Sequence, residues 1–152
     1  MGCDYGYTLL IGVKLTSVEE LFEDIPYEEF GCEHKIKDSK FCPQCGRKAI
    51  KKGTRKVEKL PFDTEDWRYT DVPCLKGKFY VEHNMEYGDS VYIGVYKKME
   101  YLETLNTICV SNDEYNRLIT IVKEELIPFL NEHGVAFEKD SIGIHVIPYI
   151  DC

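Results

Sequence analysis

The sequence predicts an α+β domain: an antiparallel sheet with two helices, interrupted by a cysteine-rich insertion. Three observations carry that expectation. Apolar residues alternate with a period of two near both ends of the chain, a helix-start pattern occurs twice, and beyond Pro26 the composition turns abruptly basic and cysteine-rich. A chain of 152 residues with 43% hydrophobic and 30% charged residues has the size and make-up of one ordinary folded domain.

Tyr5, Tyr7, Leu9, Ile11, Val13 and Leu15 alternate with smaller or polar residues, which reads as a long strand with one apolar face. Ser17-Val18-Glu19-Glu20 has the form of a capping box. It should open a short helix carrying Leu21, Phe22 and Ile25 on one side, with Pro26 ending it. Residues 27–59 are the insertion, and Leu60 to Pro73 form an irregular connection anchored by its aromatics. A hairpin follows, with Phe79, Val81 and His83 on one arm and Val91, Ile93 and Val95 on the other, turning at Tyr87-Gly88-Asp89. Leu102 to Val110 fits helix or strand equally well. A second capping box, Ser111-Asn112-Asp113-Glu114, opens the strongest helix, in which Tyr115, Leu118, Ile119, Val122, Leu126, Phe129 and Leu130 recur at helical spacing. Gly134 suits the position after its end, and Pro128 should kink it or split off its last turn. Ile142, Ile144, Val146, Pro148 and Ile150 mark a final strand, which Pro148 makes an edge strand or cuts short. The order βαββαβ is that of ferredoxin-like folds, giving a single α+β domain over 1–152 with a basic segment inserted at 30–59.

Within the insertion, Cys32-Glu33-His34 and Cys42-Pro43-Gln44-Cys45-Gly46 place three thiols and an imidazole in fourteen residues. Such a set closes a tetrahedral shell around one zinc ion. On an extended strand Cys32 and His34 share a face, so both reach one ion. Pro43 pre-sets the turn between the two later cysteines, and Gly46 permits the left-handed backbone that aims amides at sulfur. The Cys-Pro-x-Cys-Gly half resembles the knuckle of zinc ribbons and rubredoxin-type sites, and short knuckles of this kind are similar to those in many small phage-encoded proteins. The resemblance covers about fifteen residues, and the chain departs from the usual ribbon in its Cys-x-His first pair and its short spacer. It implies a structural Zn2+ held by Cys32, His34, Cys42 and Cys45, with Cys74 the alternative to His34 as fourth ligand. Four protein ligands leave no open position for catalytic water. The other cysteines read as reduced thiols, since the total of seven is odd and three fall in the metal-type cluster.

The net charge of −8 conceals an asymmetry: residues 33–59 sum to +7 and the rest to −15. An acidic body suits basic protein partners, whereas the basic segment offers Lys35, Lys37, Lys40, Arg47, Lys48, Lys51, Lys52, Arg55 and Lys56 to a phosphate backbone. No glycine-rich phosphate loop, metalloprotease helix or nucleophile elbow is present. His83 and His145 sit on strands, but neither is followed two residues later by the Thr or Ser of the two-histidine phosphodiesterases. His133 falls in a last helical turn, where the helix dipole explains it. Asp63, Glu65 and Asp66 read as a solvated loop, and the eleven tyrosines as cross-strand packing or a protein interface. No run of residues is long and apolar enough to span a bilayer, and no signal-peptide pattern opens the chain. The expectation is a soluble, cytoplasmic, zinc-stabilised binding protein without catalysis, acting on a protein partner. Its rivals are a nucleic-acid-binding protein using the basic loop and an enzyme using His83 and His145.

Overall fold

The computed structural model describes residues 4–30, 34–36, 40–62, 72–84, 89–101 and 108–151. Cys32, Lys37, the Asp63, Glu65, Asp66 cluster and the centre of the Tyr87-Gly88 turn lie outside the described residues. The chain forms two compact units: Met1–Leu21 with Lys59–Cys152, and Phe22–Glu58. The second unit therefore takes in a strand as well as the cysteine-rich segment.

The first unit is built on a four-stranded antiparallel sheet. Its strands are β1 (Asp4–Lys14), β5 (Tyr80–Asn84), β6 (Ser90–Tyr101) and β7 (Gly143–Asp151), in the order β5-β6-β1-β7. β5 and β6 form the expected hairpin, with Val81 opposite Ile93 and His83 opposite Val91. β7 is an edge strand, and its pairing with β1 runs through Pro148 to Asp151. Between Ile11 and Gly12 the β1–β6 register slips by one residue, leaving Val95 as the extra residue of a bulge. The backbones crowd there: a Cβ on Gly12 would lie 2.0 Å from the carbonyl oxygen of Ile93. Although β5 and β7 are opposite edges, they approach within 8 Å (Cα–Cα), so the sheet is strongly curled. Ile11, Val13, Val81, Val91 and Ile93 share one face by register and are fully buried.

One helix packs against β1 and β6. Its first part, α1 (Asn112–Ile121), is capped by Ser111, whose hydroxyl accepts from the Glu114 N–H at 3.2 Å. A π turn over Val122–Leu126 leads without a break into α2 (Ile127–Glu132). Pro128 therefore does not split the helix. The preceding wide turn absorbs the mismatch that the missing proline N–H creates. The helix ends in a Schellman motif, with Val135 N–H donating to Leu130 C=O at 2.9 Å, Gly134 N–H to Asn131 C=O at 3.1 Å, and Gly134 at φ 63°. His133 closes the last turn with Nδ1 2.9 Å from the Phe129 carbonyl.

The expected first helix does not form, so the two-helix ferredoxin-like order is incorrect. After one 3-10 turn, Val18–Leu21, the chain enters β2 (Phe22–Phe30) of a second, three-stranded sheet. The capping-box logic fails because Glu20 is engaged elsewhere. Its carboxylate accepts from the Ala136 N–H at 3.2 Å and pairs with the Lys59 ammonium at 3.5 Å. The described residues thus form mostly sheet, with one helix and two sheets.

The second sheet has the order β3-β2-β4, with β3 (Lys35–Ile36) and β4 (Ala49–Glu58) antiparallel to β2. Pro26 of β2 stands opposite Thr54 of β4, and among the described residues β3 pairs with Glu28 and Glu29. Ile25, Tyr27, Gly53 and Val57 share a face by register, and the Tyr27 ring lies over Gly53, where a Cβ would come within 2.9 Å of it. These apolar side chains are mostly buried. Of the described residues in this unit, Cys42 alone is fully buried.

Candidate metal centre

The knuckle is a short hairpin. Phe41 and Lys48 pair across it, the Cys42 N–H donates to the Arg47 carbonyl at 2.7 Å, and the Gly46 N–H donates back to the Cys42 carbonyl at 2.6 Å. Gly46 stands at φ 72°, the left-handed conformation that its lack of a Cβ permits. This turn brings the Cys45 sulfur round to that of Cys42, and the residue before β3 supplies His34. The ligating atoms of His34, Cys42 and Cys45 all lie within 4.8 Å of one another, with Cys42 Sγ 3.6 Å from His34 Nδ1. Cys42 is buried, while His34 and Cys45 face solvent. Two thiols and an imidazole so placed form a group able to hold a metal ion. Cys74 is buried in the other unit and is not part of this group.

The basic residues of the second unit divide into two sets. In β4, Lys51, Lys52 and Lys56 stand opposite Glu29, Glu28 and Asp24 of β2, and Lys35 of β3 stands opposite Glu29 from the other side. Arg55 stands opposite Ile25. Lys40, Arg47 and Lys48 belong instead to the knuckle, where all three are exposed, as is the Phe41 ring at 54%.

The two histidines weighed for catalysis are not brought together. Register places His83 on the face of Val91 and His145 on that of Leu10 and Tyr92, the opposite side of the sheet. His83 Nε2 is 2.6 Å from Asp89 Oδ1. The His145 ring lies 4.9 Å from that of Tyr92, and burial holds its pKa below the ordinary histidine value. A cavity of about 260 Å³ is lined by Lys14, Thr16, Ser17, Asp89 and Ser90, among others.

The structure also shows a buried ion pair that the sequence does not reveal. Lys97 Nζ lies 2.8 Å from Glu82 Oε2, with the Lys97 side chain fully enclosed and Thr8 completely buried beside it. Burial pushes the Glu82 carboxyl above its ordinary pKa, and the Lys97 charge opposes that shift. Only the hairpin register and the curl of the sheet bring these two residues together. Their spacing in sequence carries no signal.

Along the β1–β7 pair, Tyr5, Ile144 and Val146 are 51%, 48% and 63% exposed. Val146 stands opposite Leu9, Ile144 opposite Ile11 and Pro148 opposite Tyr7, which makes one apolar stripe along this edge of the sheet. No helix among the described residues is long and apolar enough to cross a membrane. Comparison with family models, with curated proteins and with solved structures finds no match for this chain, so its functional reading rests on its own geometry.

Proposed function

We propose that the protein is a non-catalytic binding protein whose second unit is folded around a structural zinc ion and whose first unit docks a protein partner. Cys32 is the fourth ligand in this reading, joining His34, Cys42 and Cys45 in a closed shell. Ideal zinc–sulfur and zinc–nitrogen bonds give a tetrahedral S···N edge of about 3.6 Å. The Cys42–His34 separation of 3.6 Å supports zinc at this size.

The single observation that carries the docking role is the exposed stripe of Tyr5, Ile144, Val146 and Pro148. Exposed apolar residues contiguous on one sheet face favour a protein interface over solvent. The unit that bears the stripe has twenty acidic and ten basic residues. That balance favours a partner with an apolar patch ringed by Lys and Arg. The test places a photo-crosslinking residue at Val146 and compares capture in native cells with and without Ile144→Glu. One discrete adduct that Ile144→Glu abolishes, at unchanged zinc content and melting temperature, supports the reading. Capture indifferent to Ile144→Glu defeats it.

A further inference from the structure

We propose, resting on the docking stripe above, that β7 takes up an extended Lys- and Arg-bearing segment of the partner as an added antiparallel strand. Pro148 stands opposite Tyr7 in a β1–β7 register that has no slip. The two residues of a hydrogen-bonded antiparallel pair exchange two N–H···O=C bonds, and proline has no N–H to give. Tyr7 and Pro148 are therefore a non-hydrogen-bonded pair. Bonded and non-bonded pairs alternate along such a ladder, so Val146 opposite Leu9 and Ile144 opposite Ile11 are pairs of the same kind. The N–H and C=O groups of Ile144 and Val146, and the C=O of Pro148, thus point away from β1. β7 is an edge of its sheet, and β5, the other edge, forms no ladder with it. Among the described residues these outward groups have no hydrogen-bond partner.

Exposed edge strands are ordinarily blunted by lysines, by inward-pointing charges or by a bulge. From Gly143 to Ile150 β7 has no Lys, Arg, Asp or Glu, and its register has no bulge. The residues whose amides point outward are also those whose side chains are exposed, Ile144, Val146 and Pro148. An added strand closes the open ladder with its backbone and lays every second side chain on the stripe. Those two contributions are the ones by which strand addition gains affinity and specificity. Charge selects the occupant. A second copy brings the same excess of twenty acidic over ten basic residues in this unit, whereas a Lys- and Arg-bearing strand is attracted to it. The ladders of this sheet are all antiparallel, and antiparallel pairing is the more stable per residue.

The probe is a fluorescein-labelled peptide of about nine residues alternating Lys and Val, its binding to the full chain read by fluorescence anisotropy at about 0.15 M salt. Residues bonded to Ile144 and Val146 in an antiparallel pair share their face, so the Val side chains lie on the stripe and the Val amides point at β7. Methylation of the Val backbone nitrogens should weaken binding about tenfold or more, and methylation of the Lys backbone nitrogens about twofold or less. Val146→Pro should bind about tenfold more weakly than Val146→Ala, since both lose the side chain and only the first loses the N–H. Pro148 shows that an outward position of this strand admits proline. Should Val146→Pro unfold, the two methylated peptides carry the test on the wild type. Equal or reversed binding of the methylated peptides, or equal binding by Val146→Pro and Val146→Ala, overturns strand addition. In that event the docking stripe survives if Ile144→Glu still abolishes binding, and both fall if Ile144→Glu changes nothing. No binding of the parent peptide also overturns the proposal, with the crosslink at Val146 deciding the stripe separately. A dimer in sedimentation equilibrium that Val146→Pro dissolves gives the edge to a second copy and overturns it too.

Discussion

Removing the metal should unfold the second unit and leave the first intact. The described apolar side chains of Phe22–Glu58 that leave water are Cys42, which is fully buried, and Phe22, Ile25, Tyr27 and Val57, which are mostly buried. At roughly three-quarters of the value of full burial the latter four supply together about 7 kcal/mol. A structural zinc site in a small peptide supplies about 10–16 kcal/mol at neutral pH. On the described residues a bound zinc ion would therefore be the larger stabiliser, set against the entropy of ordering the sheet. The first unit keeps Leu10, Ile11, Val13, Ile93, Val122, Leu126 and Leu130 fully enclosed and needs no such staple. Hydrogen exchange on zinc-loaded and chelated protein reads the outcome directly. Amides of β2 and β4 should lose essentially all protection on chelation, while those of β1 and β6 stay within about twofold. Trypsin should then cut at Lys51, Lys52, Arg55 and Lys56. Unchanged protection in β4, with metal loss verified by mass spectrometry, would refute the argument.

Other expectations follow from single positions. Cys42→Ser should abolish metal binding, whereas Cys74→Ser should leave the zinc stoichiometry unchanged. Equal loss in both would return Cys74 to the ligand set. Glu82 has its folded-state pKa raised, so the stability it contributes is complete below the unfolded value of about 4.3 and is lost as pH rises through the folded value. The melting temperature of the wild type relative to Glu82→Gln should accordingly fall as pH rises above about 4.3. Lys97→Met at pH 7 strands the buried carboxylate and should cost about 3–5 kcal/mol in denaturant titration, most of it recovered by adding Glu82→Gln. Gly12→Ala must displace the Ile93 carbonyl and should cost about 3 kcal/mol, whereas Gly134→Ala meets no atom within 4 Å and should cost only the left-handed penalty of about 1–2 kcal/mol.

The parts of the fold legible in the sequence are those in which local pattern and tertiary role agree. The alternation of β1, the hairpin arms, the Ser111 cap, the glycine at the helix end and the edge position of Pro148 all belong here. The first helix was illegible because Ser17 and Glu20 satisfy a local capping rule, yet the Glu20 carboxylate is taken by Ala136, more than a hundred residues away. β2 was hidden for a related reason. Pro26 normally argues against a strand interior, yet it pairs with Thr54 within β2. For the metal centre, spacing alone brought out His34, Cys42 and Cys45, because a two-residue cysteine spacing forces both sulfurs to one side of a tight turn. The sorting of the lysines lies beyond sequence pattern, since it depends on which acids β2 sets opposite them, and that pattern gives Phe22 and Ile25 to a helix and the residues beyond Pro26 to the insertion. The Glu82–Lys97 pair depends on a bulge and on sheet curl, and neither leaves a mark in residue spacing.

The proposed metal staple and the proposed docking surface differ in how they depend on a metal, and that difference separates them. The turn that gathers His34, Cys42 and Cys45 lies in a unit whose described residues include one fully buried side chain, Cys42. Tyr5, Ile144 and Val146 stand on a sheet with a full core of its own. Chelation should therefore abolish amide protection in β4 and leave crosslinking at Val146 unaltered. Zinc restored to the chelated protein should recover the first without changing the second. If both disappear together on chelation, the independence argued from the separate cores is wrong. If neither disappears, the knuckle holds its shape without an ion and the staple is not a metal.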